Sequence, residues 1–194
     1  MTSITEELLS WSENFLEKPS KDLGGWTVCP YAKAARLKNQ VKIVEVEYSK
    51  DFLYTVSKEA RTIKEQNKKL IIVACDDLSI IADELACYIE ALNYSFVYHD
   101  VYLMPFHPED NDDEVEFLQE ESIVKQADKP FYMVLIQPYN ELEEASKLLH
   151  KKGYYDEWDK DYYRDTVIKR QTYRRVYNDG KKEKWHGHDA WRNG

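Results

Sequence analysis

Five consecutive apolar residues, Leu70-Ile71-Ile72-Val73-Ala74, constrain the fold more than any other stretch of the chain. The run is too short to be a helix of ordinary length, and it has no polar face. That is the mark of a strand covered on both sides. Before it, Phe52, Val56, Ala60 and Ile63 recur at helical steps within Lys50–Asn67. After it, Leu78–Leu92 reads as a second amphipathic helix. A strand buried on both faces and bracketed by helices calls for layered α/β packing.

The other elements follow the same logic. Ser3 and Glu6 form a capping-box pattern. Ile4, Leu8, Trp11 and Phe15 then place a first helix over 3–17, which Lys18-Pro19-Ser20 ends. Val41–Tyr48 reads as a first strand, Ser95–Met104 as a third and Phe131–Ile136 as a fourth, broken by Pro138. Asn140 can cap a helix over 141–152, and Gly153 stops it. The expected fold is α/β: a single mixed sheet of about four strands flanked by helices, in a thioredoxin-like or ferredoxin-like layout. Right-handed crossovers make the first three strands parallel if they are neighbours, with the last antiparallel. Residues 1–153 form this domain. Residues 154–194 are an aromatic and basic extension, expected to be irregular and either packed on the domain or used as an arm.

One stretch has the chemistry to be a site: Gly24-Gly25-Trp26-Thr27-Val28-Cys29-Pro30-Tyr31-Ala32-Lys33. Pro30 suits the first position of a helix over 30–38, which puts Cys29 at the N-cap. A thiolate there meets free backbone N–H groups and the positive end of the helix dipole. Lys33, one turn on, adds positive charge, and Arg36 is placed for an anionic substrate. Trp26 and Tyr31 are the adjacent candidates for substrate contact. His107, between Pro105-Phe106 and Pro108 just past a strand end, is a candidate base or second ligand. Cys75 and Cys87 read as core packing, as buried free cysteines commonly are.

Val28-Cys29-Pro30-Tyr31-Ala32-Lys33-Ala34 resembles the glutaredoxin active-site run, in which Cys-Pro-Tyr-Cys opens a helix. Ala32 takes the place of the second cysteine, so the resemblance implies at most a monothiol reaction. Cys29-Pro30-Tyr31-Ala32, Phe106-His107-Pro108 and Lys129-Pro130-Phe131-Tyr132-Met133 are similar in order and spacing to an uncharacterised bacterial domain family with Cys-Pro-Phe-Ala, Phe-His-Pro and Pro-Tyr-Pro-Met motifs. The last motif departs from that pattern, with Phe131-Tyr132 in place of Tyr-Pro. The resemblance implies that Cys29 and His107 belong to one site.

Charge divides the chain unevenly. Its formal net charge is −9, yet Lys169–Gly194 holds eight Lys/Arg against three Asp/Glu. An acidic body with a basic end argues against general DNA binding by the whole domain. Within that end, Arg170, Tyr173, Arg174, Arg175 and Tyr177 have the composition of a stacking and phosphate-pairing cluster, and equally of a packed aromatic interface. His186, His188 and Asp189 are weak metal candidates. The acidic run Glu109–Glu121 lacks the glycine and ligand spacing of a calcium loop and reads as solvated. No apolar run approaches a membrane span, and the start has no secretory pattern. Three cysteines without metal-type spacing suit a reducing cytosol.

Two functions stay open on these residues. One is a cytosolic thiol enzyme or redox protein acting on a small-molecule substrate, with Cys29 as nucleophile or ligand, Lys33 stabilising it and His107 as base. No cofactor is specified. The other is a non-enzymatic protein-interaction module working through the acidic run and the basic aromatic end, with homo-oligomerisation as one form of partnership.

Overall fold

The chain forms one mixed four-stranded sheet with helices on both faces, as expected. The structure is a computed structural model that describes residues 2–21, 23–110 and 123–175. In chain order come α1 (Ile4–Trp11, running on through a wider turn over Ser12–Leu16), α2 (Ala32–Leu37), β1 (Val41–Val46), α3 (Ser49–Thr62), β2 (Leu70–Cys75) and α4 (Ala82–Phe96). Then follow β3 (Val101–Phe106), α5 (Ile123–Gln126), β4 (Tyr132–Pro138), α6 (Tyr139–Lys151) and α7 (Lys160–Tyr163, continuing through Arg164–Ile168). Ser3 Oγ accepts from the Glu6 N–H and the Glu6 carboxylate accepts from the Ser3 N–H, so the capping box of α1 is complete.

The apolar run of β2 is central because it is sandwiched. Alternate residues Ile71, Val73 and Cys75 pack with Phe52, Val56, Ala60 and Ile63 of α3 and its last turn, and with Leu85, Ile89 and Phe96 of α4. Ile72 and Ala74 point the other way and pack with Leu8 of α1 and with Ile123, Val124 and Phe131. Two covered faces leave no position on this strand for a polar side chain.

The strand order is β1-β2-β4-β3. β1 and β2 are parallel, from Val41↔Leu70 to Val46↔Cys75. β4 is antiparallel to β2 (Ile71↔Ile136 to Cys75↔Tyr132) and to β3 (Val101↔Pro138 to Phe106↔Met133). β3 therefore runs the same way as β1 and β2 but is not their neighbour, because β4 inserts between β2 and β3. The C-terminal ends of β1, β2 and β3 share one edge of the sheet with the start of β4.

The third strand does not begin at Ser95. α4 extends to Phe96, a tight turn covers Val97–His99, and Asp100 takes a left-handed conformation (φ 64°) before β3 starts at Val101. Leu85, Ile89, Asn93 and Phe96 form one buried helical stripe, and that burial overrides the strand-like composition of residues 95–99. Cys87 is likewise not in the core. It lies on the exposed side of α4. Pro138 ends β4 without shortening it and is itself the N-cap of α6, while the Asn140 N–H donates to Asp100 Oδ1 at 2.7 Å. Gly153, at φ 79°, follows the C-cap of α6 in the conformation expected of a stop.

The expected irregular extension is largely helical where it is described. Helix runs from Lys160 to residue 175 and lies against α6. Arg170 is 2% exposed, and its guanidinium pairs with Glu143 and donates to Ser146 Oγ at 2.6 Å. Tyr173 is buried against Val97, Tyr102 and Tyr139. Arg174 lies over the Tyr139 ring at 4.9 Å and donates to Asn140 Oδ1 at 2.7 Å. Composition could not separate a phosphate-binding cluster from a packed interface. The contacts of Arg170, Tyr173 and Arg174 are those of the interface.

Candidate functional site at the Cys29 loop

The loop before Cys29 is a closed turn. Pro19 bridges Thr27, the Ser20 N–H donates to Trp26 O and the Gly25 N–H donates to Ser20 O, both at 2.8 Å. Gly24 and Gly25 sit at φ 59° and 88°, where a side chain would be strained. The Cys29 N–H donates to Leu16 O at 3.0 Å, which ties the cysteine to the end of the first helix.

Cys29 is not the N-cap of α2. That position is Tyr31, and Pro30 belongs to the turn before the helix. The Ala32 N–H donates to Cys29 O at 3.1 Å, and the backbone N–H groups of Tyr31 and Ala32 near the thiol favour the thiolate. Burial is the larger effect. The residue is half-buried, protein packed round the sulfur pushes the thiol pKa up, and the Glu17 carboxylate adds to the rise. With its pKa raised by burial, the Cys29 thiol stays protonated at neutral pH.

Arg36 does not face an open anion site. Its Nε and Nη2 donate to the two Glu17 oxygens at 2.7 and 3.0 Å, and its Nη1 lies 2.7 Å from Glu13. This fork joins α2 to the first helix and holds the Glu17 carboxyl below its usual range. The Lys33 charge also acts on Glu17. Trp26 meets the Tyr154 ring edge-on at 5.8 Å. Tyr31 is exposed.

His107 lies elsewhere. It is 3% exposed, and its ring stacks on Tyr132 at 5.7 Å. Nδ1 accepts the Glu109 N–H at 3.1 Å, so the proton sits on Nε2, which donates to Ile80 O at 2.9 Å. Both nitrogens are committed. The partners of His107 (Ile80, Glu109, Tyr132) and those of Cys29 (Leu16, Glu17, Tyr31, Ala32, Tyr154) have no residue in common.

The strand-end edge around His107 holds groups that the sequence did not single out. Cys75 and Tyr132 face each other in register, and burial raises the pKa of both. Tyr132 Oη lies beside the Cys75 sulfur without an aligned hydrogen-bond partner among the described residues. Only the register brings these two residues, far apart in the chain, together.

Asp77, at the same edge, accepts from the Ser49 N–H at 2.9 Å and from the Ser79 hydroxyl, and its pKa falls to about 2. A lowered carboxyl pKa adds stability that is present above the unfolded value, about 3.9, and is lost as pH falls towards about 2. Asp77→Asn should therefore flatten the acid side of a stability-versus-pH curve between about 4 and 2. Thermal melts across that range read the effect, and an unchanged slope would show that this carboxylate makes no such contribution.

No protein-family model matches the chain, and no characterised protein or solved structure does. The described residues contain no group of three or more His, Cys, Asp or Glu able to hold a metal, and His186, His188 and Asp189 lie outside them, as does most of Glu109–Glu121. Among the described residues, no helix is long and apolar enough to cross a membrane.

Proposed function

We propose that the chain is a non-enzymatic protein-interaction module whose working surface is the outer face of α4 and of the turn that follows it. The observation that carries this reading is the composition of that face. Tyr88 and Tyr94 on α4, and Tyr98 in the turn after it, are about half exposed (47%, 52% and 49%), and the small residues Cys87 and Ala91 are exposed with them; Tyr94 also meets Tyr173 edge-on and Tyr98 meets His99. Asp83, Glu84 and Glu90 are exposed on the same helix, which has no Lys or Arg along its length. Exposed tyrosine faces beside carboxylates suit the Lys or Arg side chains of a basic protein partner, through cation–π contact and charge complementarity. Tyrosine is also among the residues enriched at interfaces. The three unpaired cysteines support a reducing cytosol as the location on this reading.

The chemistry expected of Cys29, His107 and Arg36 counts against an enzyme in this conformation. The thiol is held protonated, the imidazole is closed at both nitrogens, and the guanidinium is filled by two glutamates.

A fluorescein-labelled peptide of alternating Arg and Gly is a suitable probe. Tyr88→Ala with Tyr98→Ala leaves the net charge unchanged, so diffuse attraction to an acidic protein survives. Site-specific contact should weaken on the order of tenfold, the scale set by losing aromatic contacts at an interface. Cys29→Ala should bind as the native protein does. Equal binding by the α4 variant would sink the proposed surface.

A further inference from the structure

We propose that the groove between α6 and the C-terminal helix binds the phosphate group of a small hydroxylated ester. The inference goes beyond the α4 reading and does not depend on it.

A cavity of about 180 Å³ lies between the two helices. α6 supplies one wall at helical steps: Glu143 and Ser146 are buried, while Lys147, His150 and Lys151 are exposed. Tyr163, Val167 and Gln171 supply the other wall. These three are four residues apart, and in a regular α-helix each step of four turns a side chain about 40° off line. The wider turn over Arg164–Ile168 takes up part of that drift between Tyr163 and Val167. Single wide turns of this kind are rare and occur frequently at functional sites.

The charges round the cavity are unevenly satisfied. The nearby carboxylates are already neutralised. Glu143 pairs with Arg170 and accepts from Gln171 Nε2, and Asp161 and Asp165 pair with Arg164. Lys147 and Lys151 are different, because neither ammonium has an ion-pair or hydrogen-bond partner among the described residues. One helical turn apart, they are neighbours on the face of α6 that lines the cavity. Two free cations on one concavity suit a phosphate monoester, which carries close to two negative charges at neutral pH and three strong acceptor oxygens.

The rest of the lining suits what the phosphate is attached to. Gln171 spends its Nε2 on Glu143, which leaves Oε1 to accept from a ligand hydroxyl. The His150 ring stacks on Tyr163 with centroids 6.1 Å apart, and with Val167 it offers a short carbon skeleton an apolar wall. Sites for drug-sized ligands run to about 300–1,000 Å³. A cavity of about 180 Å³ takes a smaller molecule, a phosphate with a few carbons.

The test is a titration of the full chain followed by amide chemical shifts, with glycerol 3-phosphate, inorganic phosphate and glycerol as probes. Glycerol 3-phosphate should give saturable shifts at residues 143–151 and 163–171, inorganic phosphate weaker ones and glycerol none. Lys147→Ala with Lys151→Ala should weaken binding about tenfold or more, the scale of losing hydrogen bonds to a charged group. Alanine is the strongest helix former, so that loss does not come from fraying of α6. Lys152→Ala with Lys169→Ala removes the same charge from exposed positions outside the cavity and should bind as the native protein does. Equal weakening by the two double variants would overturn the proposal, because only diffuse attraction would then be at work. So would the absence of saturable shifts at these residues, or inorganic phosphate binding as tightly as the ester.

Discussion

Arg170→Ala is expected to cost about 3–5 kcal/mol of folding stability, the scale for leaving half of a buried ion pair alone. The side chains of Arg170 and Glu143 are only 3% and 11% exposed. Glu143 also accepts from Gln171 Nε2 at 3.0 Å, and Arg170 donates to Ser146 Oγ, so each charge is fully engaged. Removing the guanidinium strands a carboxylate between α6 and the C-terminal helix. Against a total stability of about 5–15 kcal/mol for an ordinary domain, that is a large share. Urea denaturation of the single and double variants measures it. Arg170→Met with Glu143→Met should lose much less than Arg170→Met alone, because apolar replacement removes the desolvation cost along with the pair. A small loss for both would mean that residues 160–175 are not integral to the folded body.

Asn93→Ala should cost about 2–4 kcal/mol, on the basis of two buried backbone groups losing their partner. Asn93 is 2% exposed. Its Nδ2 donates to Leu103 O at 2.8 Å and its Oδ1 accepts the Leu103 N–H at 2.9 Å. β3 is an edge strand, and these two groups of Leu103 face away from β4. The carboxamide stands in for a missing neighbouring strand and closes the edge that could otherwise pair with another chain. The expected signature is a lower denaturation midpoint with faster hydrogen exchange at the Leu103 amide. Unchanged exchange would show that the amide is protected by other means.

The candidate site was legible in part. The Cys29 turn could be read locally, since Gly24, Gly25 and Pro30 impose a turn and Ala32–Leu37 continue as helix. The rise in the Cys29 pKa was not legible, because the loop is packed by residues distant in the chain, among them Tyr154, whose hydroxyl donates to Val28 O. His107 was read as a candidate base or second ligand just past a strand end. It is at a strand end, but the carbonyl of Ile80 and the amide of Glu109 complete it. Arg36 was read as available, and Glu13 and Glu17, on the preceding helix, fill its fork. In each case the residue type was right for chemistry and the neighbours were what could not be seen.

What the sequence determined by itself is the layered plan. The unbroken apolar run of β2, the helical stripe of α3, the Ser3–Glu6 box and the stop at Gly153 are local signals. Each needs only its own dihedral preferences and hydrophobic period. What the tertiary structure alone decided is which charges and rings are spent on packing. Burial turned residues 95–99 from strand to helix and turn, β4 entered between β2 and β3, and Arg170 and Tyr173 became core contacts. Desolvation and pairing depend on atoms brought together from distant parts of the chain, so neither spacing nor composition carries them.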